Sequence, residues 1–229
     1  MSTVSHHNMI YPVGDKHYDF SHLLGLKHIA IKLSGGADSA AVAYMIWKTI
    51  HDNKLDCKVT VLTTMHQGKS FQADHATRIY KWLTREFDSV IVNAHLVNQN
   101  PALPDGGKVI SIGYVEYQEL LVEYAHKHMG VEGLFTGITA NPPKEVYKEW
   151  PYNGPTDDRE DSDQDVMWNP LIYTDKKGVA EIFDYFDIRD LYKHTWSCEQ
   201  YSWPSGRRKE HCDACWFCKE RLWGFGSYL

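Results

Sequence analysis

The chain has 229 residues, of which 43% are hydrophobic and 24% are charged. These proportions are those of an ordinary globular protein, and they exclude collagen-like repeats, a coiled coil and wholesale disorder. No apolar run approaches the roughly 18 residues of a membrane helix, and residues 1–20 lack a secretory core, so we expect a cytoplasmic protein without a membrane partner. The formal charge of −6 argues against general coating of nucleic acid and leaves room for one local basic patch.

The first half of the chain alternates predicted strands with predicted helices. Runs of β-prone residues predict strands at His28–Leu33, Lys58–Thr64 and Ser89–Ala94. Apolar residues three or four apart predict a helix after each of the first two strands, through Ala40, Ala43, Tyr44 and Trp47, and through Ala76, Ile79, Tyr80, Leu83 and Phe87. The glycine-containing segment Ser34–Gly36 therefore joins a strand to a helix.

The second half repeats this alternation around one long loop. A helix through Tyr117, Leu120, Leu121 and Tyr124 precedes a predicted strand at Gly133–Ile138. Residues 141–165 break the pattern with prolines and acidic residues, which is typical of a functional or disordered loop. A strand at Asn169–Tyr173 and a helix capped by Thr174 or Asp175 follow. Strands alternating with helices predict an α/β fold whose parallel sheet is covered on both faces.

The loop Ser34–Ser39, with the sequence SGGADS, follows a strand and opens a helix. Its backbone N–H groups and the positive end of the helix can together hold a pyrophosphate group. The loop lacks the Gly-Lys-Ser/Thr ending of a Walker loop, which favours cleavage between the α- and β-phosphates. Asp38 either stabilises the helix N-terminus or meets the phosphates through Mg²⁺, and we favour the metal. The alternative interpretation is an ordinary glycine turn capped by Ser34.

Four of the five cysteines lie close together near the end of the chain, at Cys198, Cys212, Cys215 and Cys218. Four thiolates satisfy tetrahedral Zn²⁺ and leave no position for water, so this spacing predicts a structural zinc site. An iron–sulfur cluster and four unligated buried thiols are the alternatives. Cys57 stands alone and is expected to pack as a small buried hydrophobe.

The SGGADS loop after the first strand resembles the PP-loop of the ATP pyrophosphatase superfamily. This resemblance implies a doubly wound five-stranded parallel sheet of the adenine nucleotide alpha hydrolase-like type, and adenylation of an acceptor with release of pyrophosphate. It implies that the loop holds the pyrophosphate and that the end of the second strand receives adenine and ribose. The residues expected to hold ATP are Ser34, Gly35, Gly36, Ala37, Asp38, Ser39, Leu62, Thr63, Thr64, Gln67 and Gly137.

The last third of the chain resembles the 7-cyano-7-deazaguanine synthase family of the queuosine pathway. The shared motifs are Pro170-Leu171 with Asp175-Lys176, the segment Thr195–Cys198, and the segment His211–Arg221. The resemblance implies conversion of 7-carboxy-7-deazaguanine and ammonia to a nitrile at the expense of ATP. It makes Asp38 and Lys176 the expected catalytic residues, with Lys176 as a counter-charge to the phosphates. Homodimers are common in that family.

The substrate side departs from this family, since residues 136–143 and the region before Tyr117 lack its expected motifs. Two alternatives therefore stay open. The protein adenylates another acceptor, a nucleic-acid base or a protein in a modification or defence system, or it binds ATP without turnover. The expected organisation is an N-terminal arm at 1–26, a PP-loop ATP-binding domain at 27–190 and a small zinc-binding subdomain at 191–229.

Overall fold

The computed structural model describes residues 9–65, 71–99, 114–150, 167–198 and 211–228. Within these ranges, no helix is long and apolar enough to cross a membrane. The described chain opens with two strands, β1 (Ile10–Val13) and β2 (Lys16–Asp19), which pair antiparallel as a hairpin, and a 3-10 helix follows at Ser21–Gly25. The sequence predicted no regular element here. The buried side chains of this segment nevertheless join the main hydrophobic core, so it packs onto the α/β domain.

A five-stranded parallel sheet forms the centre of the fold. Its strands are β3 (His28–Lys32), β4 (Lys58–Met65), β5 (Val92–Gln99), β6 (Gly133–Phe135) and β7 (Met167–Trp168). Their order across the sheet is β5-β4-β3-β6-β7, and all four pairings are parallel. The chain builds outward from β3 in one direction and then crosses to β6 on the other side. The carboxyl ends of β3 and β6 are therefore a topological switch point, where open α/β sheets bind their ligands.

Helices cover both faces of this sheet, so the predicted doubly wound α/β fold is confirmed. Side chains of the first, second and fifth helices share the main core with Ile29 and Ile31 of β3. Leu121 and Ala125 of the third helix instead pack against Ala30 on the opposite face. The helices are α1 (Ala37–Asn53), α2 (Phe71–Glu86), α3 (Tyr114–Met129), α4 (Lys144–Tyr147), α5 (Lys176–Tyr185), α6 (Arg189–Tyr192) and α7 (Trp216–Phe225).

Three strand predictions differ from the structure by more than one residue at an end. The strand predicted at Asn169–Tyr173 was wrong, because β7 ends at Trp168 and the following residues form turns in which Ile172 N–H donates to the Asn169 carbonyl. Pro170 has no N–H to give to a strand ladder, which favours this turn. The third strand begins at Val92 instead of Ser89, and the fourth ends at Phe135 instead of Ile138.

Candidate active site

The loop Ser34–Ser39 connects β3 to α1 at the switch point. Gly35 has φ +86°, and a Cβ there would lie 2.7 Å from the Gln72 carbonyl oxygen, so only glycine fits. The hydroxyls of Ser34 and Ser39 lie 3.1 Å apart, and Ser39 Oγ also accepts from Ser34 N–H at 3.2 Å. These contacts hold the loop against the first turn of α1, at a helix N-terminus where backbone N–H groups favour an anion.

Gly137, which the resemblance placed among the ATP-binding residues, packs against the first turn of α1 and lines the same cavity as the loop. A Cβ at this position would stand 2.5 Å from Ser39 N and 2.8 Å from the Asp38 carbonyl carbon. The segment after β6 can therefore approach the start of α1 only because residue 137 has no side chain. Its observed contribution is to position the loop.

Asp38 and Lys176, the two expected catalytic residues, form an ion pair across the switch point. Asp38 lies in the first turn of α1, and its carboxylate oxygens accept from Lys176 Nζ at 2.5 and 2.6 Å. Asp175 caps α5 by accepting from the N–H groups of Lys177 and Gly178, which fixes the start of that helix. The sequence had offered Thr174 or Asp175 as the cap, and Asp175 is the residue that does so.

Lys176 is only 5% exposed. Burial would lower its pKa, but the carboxylates of Asp38 and Glu220 more than reverse this effect, so the pKa of Lys176 is raised. Glu220 Oε2 lies 3.5 Å from the ammonium, and Gly224 of the same helix packs directly on the lysine side chain. The lysine is therefore held charged between α1 and α7.

A cavity of about 200 Å³ opens beside this ion pair. Its polar lining includes Ser34 and Gly36 of the loop, together with Asp38, Lys176, Glu220, Gln72, Thr139 and Asn141. Its aromatic lining is Trp196, Trp216 and Phe217. The loop, the charged pair and three aromatic side chains thus face one space, which suits a phosphate-bearing ligand next to a planar one.

Trp196 connects the phosphate loop to the cysteine cluster. Its backbone N–H donates to the Gly35 carbonyl at 2.8 Å, and its indole Nε1 donates to the Cys198 carbonyl at 3.0 Å. Arg221, 1% exposed, holds the same segment by donating to Thr195 Oγ1 at 2.9 Å. The aromatic wall therefore depends on the position of residues 195–198.

The four cysteines Cys198, Cys212, Cys215 and Cys218 come together at the start of α7, with all Sγ atoms within 4.8 Å of one another. Cys212 Sγ and Cys218 Sγ are 3.8 Å apart. Tetrahedral ligands with Zn–S bonds of about 2.3 Å would be about 3.8 Å apart, so this spacing fits a single ion. An iron–sulfur cluster holds its thiolates on different iron atoms and spreads them wider.

The other residues expected to bind ATP lie either inside the sheet or at the carboxyl end of β4. Thr63 is fully buried, and its hydroxyl donates to the Leu33 carbonyl at 2.9 Å and contacts His95, so it holds β4 in place. Leu62 and Thr64 line a second, smaller cavity. Gln67 lies outside the described residues.

Sequence reasoning assigned no role to four residues that line the main cavity, namely Glu220, Trp196, Trp216 and Phe217. Each stands within two residues of a cysteine of the cluster. This adjacency in the sequence was the signal that could have found them, because the position of the cysteine cluster also fixes the position of the residues next to its cysteines. The spacing of residues along the sequence predicts neither the cavity nor the contact of Glu220 with Lys176.

No family model and no curated protein sequence matches the chain. Several solved structures resemble it at low identity. The U34-tRNA thiolase NcsA from Methanococcus maripaludis, described with its 4Fe-4S cluster, gives a TM-score of 0.45 at 12% identity, over 74% of this chain and 60% of the thiolase chain. The chain thus spans less than two thirds of that thiolase.

Two synthetases give similar values. NMN synthetase from Francisella tularensis gives a TM-score of 0.43 at 15% identity, over 88% of this chain and 78% of that one. Glutamine-dependent NAD+ synthetase from Acinetobacter baumannii, in complex with ADP, gives 0.41 at 15% identity, over 73% of this chain and 30% of that one. The fold assignment rests on the strand order and register of the chain itself.

Proposed function

We propose that this protein is an ATP-dependent adenylating enzyme that converts 7-carboxy-7-deazaguanine and ammonia to 7-cyano-7-deazaguanine. The observation that carries the proposal is the buried Asp38–Lys176 pair, which opens onto the same cavity as the phosphate loop. A charged lysine that faces bound phosphates stabilises the charge that develops on departing pyrophosphate. The motifs shared with the deazaguanine family and the aromatic wall support the choice of a planar acceptor.

The residues present fit the groups that this reaction needs. Asp38 and Glu220 are carboxylates at the cavity and would hold Mg²⁺, which neutralises phosphate charge when bound. The N–H groups at the N-terminus of α1 would hold the β- and γ-phosphates. Trp196, Trp216 and Phe217 would orient the acceptor ring and exclude water from it.

The proposed chemistry has two cycles. In the first, an acceptor carboxylate oxygen attacks the α-phosphorus, the bond to the α,β-bridging oxygen breaks, and pyrophosphate leaves. Ammonia then attacks the acyl carbon, AMP departs with the former carboxylate oxygen, and loss of a proton gives the amide. In the second, the amide oxygen is adenylated in the same way, and loss of AMP and protons leaves the nitrile.

The proposal is tested by incubating zinc-replete protein with 7-carboxy-7-deazaguanine, ammonia, ATP and Mg²⁺. We expect nitrile by mass spectrometry and two pyrophosphates released for each nitrile formed. If pyrophosphate is released with a nucleic-acid or protein acceptor and not with the deazapurine, the proposed adenylation stands and the proposed acceptor is wrong. ATP binding without pyrophosphate release for any acceptor would leave a binding module.

Two neighbouring lysines supply a matched pair of variants. Lys176→Met should abolish pyrophosphate release, because it removes the buried cation that faces the loop. Lys177→Met should keep it, since Lys177 is exposed and lies over the Trp223 ring at 4.9 Å. Equal activity of the two variants would contradict the role given to Lys176.

A further inference from the structure

Lys32, the last residue of β3, lies on the face of the sheet away from the Asp38–Lys176 pair. Ile29 and Ile31 point into the main core with α1, and Ala30 points to the α3 side. Successive side chains of a strand alternate between faces, so Lys32 lies on the α3 side with Ala30. Leu62 of β4 is its partner in register.

Among the described residues, little compensates the charge of the Lys32 ammonium. The side chain is half-buried, and among the described residues it makes no hydrogen bond or ion pair. Burial lowers the pKa of Lys32, and only the exposed carboxylate of Glu119 on α3 opposes this from a distance. A half-buried ammonium that no described residue pairs with is available to an anion that enters the site.

A cavity of about 30 Å³ shows where such an anion would lie. Its polar lining is Lys32, Ser34 of the phosphate loop, Thr64 of β4 and Gln118 of α3, and its apolar lining is Leu33, Leu62, Leu121 and Val122. Under the proposed function, Ser34 belongs to the pyrophosphate site and the end of β4 to the nucleoside site. Lys32 thus stands between the two.

We propose that Lys32 binds the α-phosphate of ATP and keeps hold of it in the adenylate after pyrophosphate has left. This inference rests on the proposed function. In ATP the α-phosphate lies between the ribose and the pyrophosphate, and the cavity is lined by both Ser34 of the loop and Thr64 at the end of β4. Lys176 reaches the loop from the face of α1 and α5, so the two lysines divide the polyphosphate between them.

The test compares the affinities of Lys32→Met and Lys58→Met for four ligands by titration calorimetry. Lys58 is also half-buried, but it is the first residue of β4 and lies at the amino ends of the strands, in register with His28. We expect Lys32→Met to bind ATP and AMP roughly tenfold more weakly, about the loss of one charge-assisted hydrogen bond. Adenosine and inorganic pyrophosphate should bind as they do to the wild type, and Lys58→Met should match the wild type throughout.

A conservative variant and a thermal melt distinguish the effect of losing the charge from the effect of losing folding stability. Lys32→Arg should keep ATP affinity, and Lys32→Met should melt no lower than the wild type, because it replaces an unpaired half-buried amine with an apolar group. Unchanged ATP and AMP affinities in Lys32→Met would overturn the inference alone, and so would an equal loss for adenosine. A wild type that binds no ATP would overturn the proposed function and this inference with it.

Discussion

Lys176 illustrates how this fold keeps a charge buried. The ammonium is almost fully removed from water, at a cost that only close opposite charges can offset. Asp38 supplies two contacts of 2.5 and 2.6 Å, and Glu220 supplies a second carboxylate at 3.5 Å. The three side chains come from three helices, so the charge cluster joins α1, α5 and α7 at the switch point. A ligand that neutralises Asp38 would leave Glu220 as the remaining partner of the lysine.

Removing the lysine alone should therefore destabilise the protein. Lys176→Met leaves the carboxylates of Asp38 and Glu220 without their cation in a site largely shielded from water. We therefore expect the free energy of unfolding to fall by about 3 kcal/mol. The double variant Asp38→Asn with Lys176→Met should recover part of that loss, because one of the uncompensated charges is gone. Urea unfolding of the wild type, Lys176→Met, Asp38→Asn and the double variant measures the coupling. Additive losses would show that the two residues do not interact.

Gly137 offers a test of the loop position that leaves the charges intact. Gly137→Ala places a Cβ 2.5 Å from Ser39 N, so the loop must move away from the segment after β6. We expect ATP affinity to fall at least tenfold, since the N–H groups no longer converge. Gly25→Ala is the control, because a Cβ there meets nothing within 4 Å. Calorimetric titration with ATP measures both, and similar affinities would contradict the tight packing of Gly137 on the loop.

The loop could be predicted from sequence because all its determinants lie within six consecutive residues, Ser34–Ser39, directly after an apolar run. The partnership of Lys176 with Glu220 could not, because no local pattern states which two helices meet. Thr63 shows the opposite case. Its place at the end of a strand suggested a contact with ligand, but its hydroxyl donates a hydrogen bond to the Leu33 carbonyl inside the sheet.

At the scale of elements, the cysteine cluster ties the start of α7 to the segment that carries Trp196. Cys198 ends that segment, and Cys215 and Cys218 flank the first turn of the helix. Trp196 and Trp216, which adjoin these cysteines, both line the main cavity. A bound ion would therefore hold the aromatic lining of the main cavity, which is the proposed acceptor site, more directly than it holds the phosphate loop.

Loss of the metal should accordingly affect acceptor binding first. Cys198→Ser should lower bound zinc, reduce the melting temperature and abolish acceptor binding, while ATP affinity falls by less. Cys57→Ser should keep zinc at the wild-type level, because burial raises the pKa of that thiol to about 11 and it lies outside the cluster. Elemental analysis and titration with each ligand test this. Equal loss of ATP and acceptor affinity would show that the cluster supports both sites alike.

The elements themselves were predictable to differing degrees. β3 and β4 are central and buried, so their predicted ends lie within one residue of the observed ends. β7 pairs through only two residues, and the apolar run that suggested it continues through a turn that begins beside Pro170. The hairpin of β1 and β2 was missed because each strand has four residues and pairs only with the other.

At the scale of the whole molecule, buried imidazoles make stability depend on pH. Burial lowers the pKa values of His22, His28, His75 and His95 below the ordinary 6.5. The unfolded chain therefore takes up protons at a higher pH than the folded protein does. Stability that these residues contribute is present above about pH 6.5 and is lost as the pH falls below it.

His28 allows this dependence to be measured at one site. It is 2% exposed, and its ring nitrogens contact the Met129 carbonyl at 3.0 Å and Thr60 Oγ1 at 2.8 Å. A neutral ring donates to the carbonyl and accepts from the hydroxyl, whereas a protonated ring has no nitrogen left to accept. Urea unfolding from pH 7.5 to 5 should show a free energy that falls with pH, with His28 contributing at most about 1.4 kcal/mol per pH unit. His28→Gln should flatten this slope although it lowers stability at pH 7.5, and the exposed His17→Gln should keep the wild-type slope. A slope unchanged in His28→Gln would assign the acid sensitivity to the other buried groups.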